Sequence, residues 1–335
     1  MRASTRTSRT GRRAVAALVA VLTVMGLVST AVGTGGAEAA TRYTMWINAC
    51  GMPTNGAFGN KPMTPGMVKV NYWHRSGNTR TVVMLDGMRA QYDRSGWEIN
   101  TNVSRMANSG VNVVMPVGGP ASFYTNWDAP SNFNGQKKRY MWDCVINQKL
   151  ISKLRSGDRG RHFATKGGKF AIMGISSGGN AALVSAAHNR SKYYAAGSLS
   201  GYNFLSAPGM RTALRLAMLD VAPQPWNVDS MWGPPWSPRW TQNDPFMNIN
   251  RMHGLKLYIG SGNGLFGKHN NPANVIDDLF KGTPLELLAF TQAKAFEVGA
   301  IAQGLHPMTF YANGTHAWGY WQDMVWNAKA RGFFR

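Results

Sequence analysis

Acidic residues and cysteines are both scarce in this chain. Fifteen Asp and Glu stand against 36 Lys and Arg in 335 residues, a formal net charge of +21. Disorder does not follow from that imbalance, because charged residues make up only 15 % of the chain and hydrophobic ones 44 %. Such a composition supports a compact apolar core. Beyond residue 40 no apolar run is long enough to span a bilayer as a helix. Cys50 and Cys144 are the only cysteines, and no metal-ligand spacing links them to the seven histidines. Neither a metal nor a cofactor is therefore expected. No repeat or low-complexity linker divides residues 41–335, which read as one domain.

The first forty residues read differently. Arg2, Arg6, Arg9, Arg12 and Arg13 precede an apolar run from Ala14 to Val32, and Ala37-Glu38-Ala39 follows. Basic, apolar, then small-x-small is the layout of a secretory signal peptide, with cleavage near Ala39 or Ala40. Its loss removes five arginines and one glutamate and leaves a net charge of +17. An exported chain this basic points to peripheral contact with an anionic cell-envelope surface. A nucleic-acid partner is not expected, since the basic residues are scattered and the leader directs the chain outward. In an oxidising compartment, an even cysteine pair suggests a Cys50–Cys144 disulfide.

Strand-like runs occur at Val68–Trp73, Arg80–Leu85, Val111–Val117, Lys169–Met173, Tyr194–Leu199, Leu255–Ile259 and Met308–Tyr311. Helical spacing appears in Trp142–Leu154, Asn180–His188, Thr212–Leu219 and Pro284–Ala302. Short apolar strands alternating with helices predict an α/β fold: a mostly parallel central sheet covered by helices on both faces. The stretch 223–250 holds Trp226, Trp232, Trp236 and Trp240 among six prolines. It reads as a long loop packed by its own aromatics and covering the sheet edge.

The chemistry centres on Gly174-Ile175-Ser176-Ser177-Gly178, where an apolar strand meets an alanine-rich helix. That context is the nucleophile elbow of α/β-hydrolases: the glycines permit a tight turn that lifts the serine above the sheet. The helix dipole and the amide of Ser177 then face any oxyanion that forms there. The second oxyanion-hole amide is expected from Met88, after the strand ending at Leu85 and the Asp86-Gly87 turn. In this fold the chain order is serine, acid, histidine. His188 shares the elbow helix and cannot fold back, whereas His316 follows the last predicted strand, where the base belongs. Spacing leaves the acid open among Asp220, Asp229, Asp244, Asp277, Asp278, Glu286 and Glu297.

These pieces, with several longer motifs, make the chain similar to the antigen-85 family of mycolyltransferases and its corynebacterial relatives. The resemblance is carried by Leu85-Asp-Gly-Met-Arg-Ala-Gln-Tyr-Asp-Arg-Ser-Gly-Trp-Glu-Ile-Asn100 and by Val114-Met-Pro-Val-Gly-Gly-Pro-Ala-Ser-Phe-Tyr. It continues through the elbow, Ala195-Ala-Gly-Ser-Leu-Ser-Gly, Met231-Trp-Gly-Pro, Asn243-Asp-Pro and Gly314-Thr-His-Ala-Trp. It implies an α/β-hydrolase that moves mycolate between trehalose esters or onto wall arabinogalactan, through an acyl-enzyme on Ser176. It also implies Glu286 as the acid, because Leu285-Glu286 followed by Thr291 and Phe296 matches the family's glutamate segment. Asp86, Arg89, Asn100 and Trp318 match residues lining the sugar site. Leu255 to Glu286 is longer than in mycobacterial members, and the cysteine pair is spaced differently.

Overall fold

The computed structural model describes residues 39–52, 66–221, 224–271, 273, 276 and 278–335. Of the expected signal segment, residues 1–40, all but residues 39 and 40 lie outside the described residues, as do Asp277 and the side chain of Asp278. Eight strands form one sheet: β1 Thr41–Asn48, β2 Met67–His74, β3 Arg80–Leu85, β4 Val111–Pro116, β5 Phe170–Ile175, β6 Tyr193–Leu199, β7 Lys256–Gly262 and β8 Met308–Ala312. Their order is β1-β2-β4-β3-β5-β6-β7-β8. Only β1–β2 and β2–β4 pair antiparallel; the other five pairings are parallel.

The central strands are largely apolar because both faces are covered. Along β3, Val83 and Leu85 join one core cluster while Val82 and Met84 join the other. The same two-residue alternation sends Phe170 and Ile172 of β5 to one face and Ala171, Met173 and Ile175 to the opposite face. The helix Ser177–His188 lays Ala181, Ala182, Leu183, Ala186 and Ala187 on the first cluster. On the other face the C-terminal helix Trp318–Ala330 buries Tyr320, Trp321, Met324, Val325 and Ala328.

β1 and the C-terminal helix went unread in the sequence, as did the short helices Gly96–Asn100 and Ser104–Asn108. β1 has only Met45 and Ile47 well buried in the strand, so its apolar signal is short. The helix Trp318–Ala330 carries four aromatics and Gly319, which mask its helical spacing. The tryptophan-rich stretch is more regular than a loop. It holds helical turns at Val228–Trp232, Arg239–Gln242 and Phe246–Met252. Trp226, Trp232 and Trp240 are buried in it, against Trp127, Tyr140 and Phe123, whereas Trp236 is 82 % exposed. Cys50 and Cys144 form a disulfide across 94 residues, tying the end of β1 to the helical segment that begins at Trp142.

Candidate active site

The C-terminal ends of β3, β5, β6 and β8 lead into one cavity of about 450 Å³, with Phe280, Pro284 and Leu285 on its wall. Ser176 sits between β5 and the helix Ser177–His188 with φ 51° and ψ −125°, a conformation costly for a non-glycine residue. Its main-chain N–H donates to Leu199 O at 2.8 Å, which ties the turn to β6. Two glycines make the turn possible. A Cβ on Gly174 would lie 2.3 Å from Gly178 O, and one on Gly178 would lie 2.2 Å from Asp86 O. Strand, helix and the turn after β3 therefore meet backbone to backbone. Ser176 is 5 % exposed and opens only into the cavity.

His316 lies two residues beyond Gly314 in the turn after β8, on the same cavity wall. Its Nδ1 is 2.7 Å from Glu286 Oε2. Glu286, in the first turn of the helix Thr283–Ala302, is fully buried. Its other oxygen, Oε1, accepts from Ser200 Oγ at 2.6 Å, Ser261 Oγ at 3.1 Å and the Gly262 amide at 2.5 Å. Trp321 packs edge-on against the imidazole at 4.9 Å and donates from Nε1 to Ser200 Oγ at 2.9 Å. A carboxylate so anchored keeps the imidazole proton on Nδ1 and leaves Nε2 free to accept one.

The other candidate acids whose side chains are described are occupied elsewhere. Asp220 pairs with Arg89 at 2.7 Å and Asp229 with Arg215 at 2.5 Å. Asp244 accepts from the amides of Ser206 and Phe246, and Glu297 takes Lys294 and the Tyr311 hydroxyl. Among the acidic side chains of the described residues, Glu286 alone meets His316.

Met88 and Ser177 flank the serine from two directions. Among the described residues neither amide donates to a backbone carbonyl outside its own element. Asp86, Arg89, Asn100 and Trp318 line the same cavity, but not alike. Asp86 is 1 % exposed, and its carboxylate accepts from Ser95 Oγ at 2.8 Å and the Gly96 amide at 3.1 Å. Burial pushes its pKa up to about 6 against those hydrogen bonds. It braces the turn and presents little to the cavity. Arg89 stands at the mouth beside Asp220, and Asn100 Nδ2 donates to Gly96 O at 3.2 Å.

Residues 63–331 match the esterase family ("Putative esterase"). The diacylglycerol acyltransferase/mycolyltransferase Ag85C of Mycobacterium avium is 33 % identical over 84 % of this chain and 81 % of its own. The Ag85B protein of Mycolicibacterium smegmatis is 32 % identical over 92 % and 91 %. The chain belongs to the antigen-85 family. It is an acyltransferase of the serine type on an α/β-hydrolase fold. Among solved structures, Mycobacterium tuberculosis MPT51 superposes with a TM-score of 0.66 at 24 % identity, covering 82 % of this chain and 96 % of that one. The fluorophosphonate-binding serine hydrolase FphF of Staphylococcus aureus gives 0.61 at 13 % identity, covering 88 % and 99 %. At those identities the likeness is of fold alone.

Several residues of this antigen-85 family member escaped sequence reasoning. Tyr202 lines the cavity with its hydroxyl within hydrogen-bonding reach of Ser176, and burial keeps that phenol neutral. Ser200 follows β6, and Ser261 and Gly262 end β7; no motif marks them as carboxylate anchors. Ala217, Phe280, Pro284 and Leu285 add an apolar flank that only the fold brings beside Ser176.

Proposed function

We propose that this protein carries a mycolyl group from trehalose monomycolate to a sugar hydroxyl, by way of an ester on Ser176. The single observation that supports it most is the buried His316–Glu286 pair sharing one cavity with Ser176. In the first step His316 Nε2 takes the Ser176 proton as Oγ attacks the ester carbonyl, and the amides of Met88 and Ser177 receive the oxyanion. The ester C–O bond breaks, and trehalose leaves with the proton that His316 returns. In the second step a sugar hydroxyl gives its proton to His316 and attacks the acyl-enzyme, releasing Ser176.

The cavity's two sides suit the two halves of such a donor. Arg89, Asn100 and Trp318, with Asp86 bracing the turn behind them, offer polar and aromatic surface to a sugar. Phe280 and Leu285, continued outward by the exposed Leu216, Leu279 and Leu287, offer an apolar track to an alkyl chain. The acceptor is a second trehalose monomycolate or arabinogalactan. Export through the basic, apolar and small-residue leader brings the enzyme to those substrates in the cell envelope. Among the described residues no helix is long and apolar enough to cross a membrane.

Labelled trehalose monomycolate and purified protein test this directly. Trehalose dimycolate and free trehalose are the expected products, and Ser176→Ala abolishes both acyl-enzyme and transfer. Free mycolic acid as sole product, with or without added acceptor, would make the protein a carboxylesterase and defeat the transfer reading.

A further inference from the structure

The shortage of acid in this chain is concentrated at one end of the sheet. Four adjacent parallel strands begin on a cation. Arg80 is the first residue of β3 and Lys256 the first of β7, while Lys169 and Lys192 immediately precede β5 and β6. These strands lie side by side in the order β3-β5-β6-β7. At a strand spacing of about 4.8 Å their four charges form a row along the sheet edge opposite the cavity. Lys166 and Arg335 join it, since Lys166 Nζ and Lys256 Nζ each donate to Arg335 O at 3.0 Å.

Apart from the terminal carboxylate of Arg335, which Lys166 and Lys256 share, no acidic group offsets this row among the described residues. Among the described residues, none of these six cations has a side-chain carboxylate within ion-pair distance. The acids instead pair elsewhere, Glu98 with Arg42, Asp158 with Lys153 and Asp229 with Arg215. Local contacts are to neutral oxygens: Arg80 to Thr79 O and Lys192 to Asn189 Oδ1. The positive potential is felt within the row, where burial and the charges of Lys166, Arg80 and Arg335 hold the Lys256 ammonium below its usual pKa. Repulsion of this kind is relieved by an external anion.

We infer that this end of the sheet docks on an anionic phospholipid surface. The cations do not converge on one point, as they would around a single phosphate. They stand at the ends of separate strands with a flank beside them, a spread array that a plane of headgroups meets at once. Each contributes about 1 kcal/mol near such a surface. The inference rests on export of the chain and is independent of the acyl-transfer reading. Docked this way, the enzyme holds Ser176, at the other end of the strands, facing away from the bilayer.

The test uses the protein purified as the cell exports it. Co-sedimentation with phosphatidylglycerol-containing vesicles is compared with pure phosphatidylcholine. Binding only to the anionic vesicles, weakening as salt rises, is expected. The triple variant Lys166→Gln, Lys169→Gln, Lys192→Gln should bind roughly a hundredfold more weakly, from three such contributions. Its turnover of a soluble ester should be unchanged. The control, Lys137→Gln, Lys138→Gln, Arg139→Gln, removes the same charge from an exposed segment elsewhere and should bind nearly as the parent does. Equal losses in both triples, parental binding by the first, or capture by soluble polyphosphate without any by vesicles would each overturn the inference.

Discussion

Glu286→Gln offers a sharp test of the site, because the hydrogen bonds decide how the new side chain must sit. Oε1 faces three donors, Ser200, Ser261 and the Gly262 amide, whereas Oε2 faces only His316 Nδ1. Turning the amide NH2 that way would set it against the Gly262 N–H, which can only donate, and leave that buried donor unpaired at about 1–3 kcal/mol. The glutamine oxygen therefore stays at the Oε1 position, and its NH2 points at His316. Nδ1 must then accept, so the imidazole proton moves to Nε2, the atom that has to take the serine proton. The fold survives, but the base is in the wrong tautomer. A loss of about 10⁴-fold in kcat follows from comparable triads, about 5.5 kcal/mol of barrier. Burst kinetics with a p-nitrophenyl ester, paired with nitrogen NMR of His316, reads both consequences. An active variant, within tenfold of the parent, would refute the assignment of the acid. Loss of activity with the proton still on Nδ1 would refute the tautomer argument.

Asp86 predicts a pH dependence of stability. Its folded pKa of about 6 lies above the usual aspartate value of 3.8, so the folded state holds the extra proton. The stability this gives is complete below about pH 4 and is lost as pH rises through about 6, roughly 3 kcal/mol in all. Denaturant melts from pH 4 to 8 should show that slope in the parent and not in Asp86→Asn; parallel curves would contradict it. Reducing the Cys50–Cys144 bond, which closes 94 residues, should lower unfolding free energy by about 4 kcal/mol in a urea melt. An unchanged midpoint would show that the bond adds nothing. Gly178→Ala puts a methyl 2.2 Å from Asp86 O and 3.0 Å from Leu85 O. It should cost about 1–3 kcal/mol and depress kcat, and a variant with parental stability and turnover would contradict the close backbone approach.

How far the sequence carried depended on where the physical signal lay. β5 was legible because all six of its residues are buried and apolar, and the elbow because glycine is needed at both 174 and 178. β1 was not, since only alternate positions on an edge strand are buried. His316 was expected from its place after the last strand, and it lines the cavity with Ser176. Glu286 could not be separated from the aspartates by spacing, and came from family likeness, because its selection depends on contacts 24 to 86 residues away. Ser200 and Ser261 bear no local signature, since their role exists only once β6 and β7 lie side by side.

One contact set binds the catalytic turn into a single mechanical piece. Asp86 meets Gly178 through its carbonyl and holds Gly96 through its carboxylate, and a Cβ on Gly96 would stand 2.2 Å from the Trp318 ring. A change at any of the four is thus felt by the other three. Their substitutions will be epistatic: a larger residue at 96 becomes tolerable only where 318 has already shrunk. Variation in this site should move in correlated sets, and a designer seeking a new acceptor must redraw positions 86, 96, 178 and 318 together.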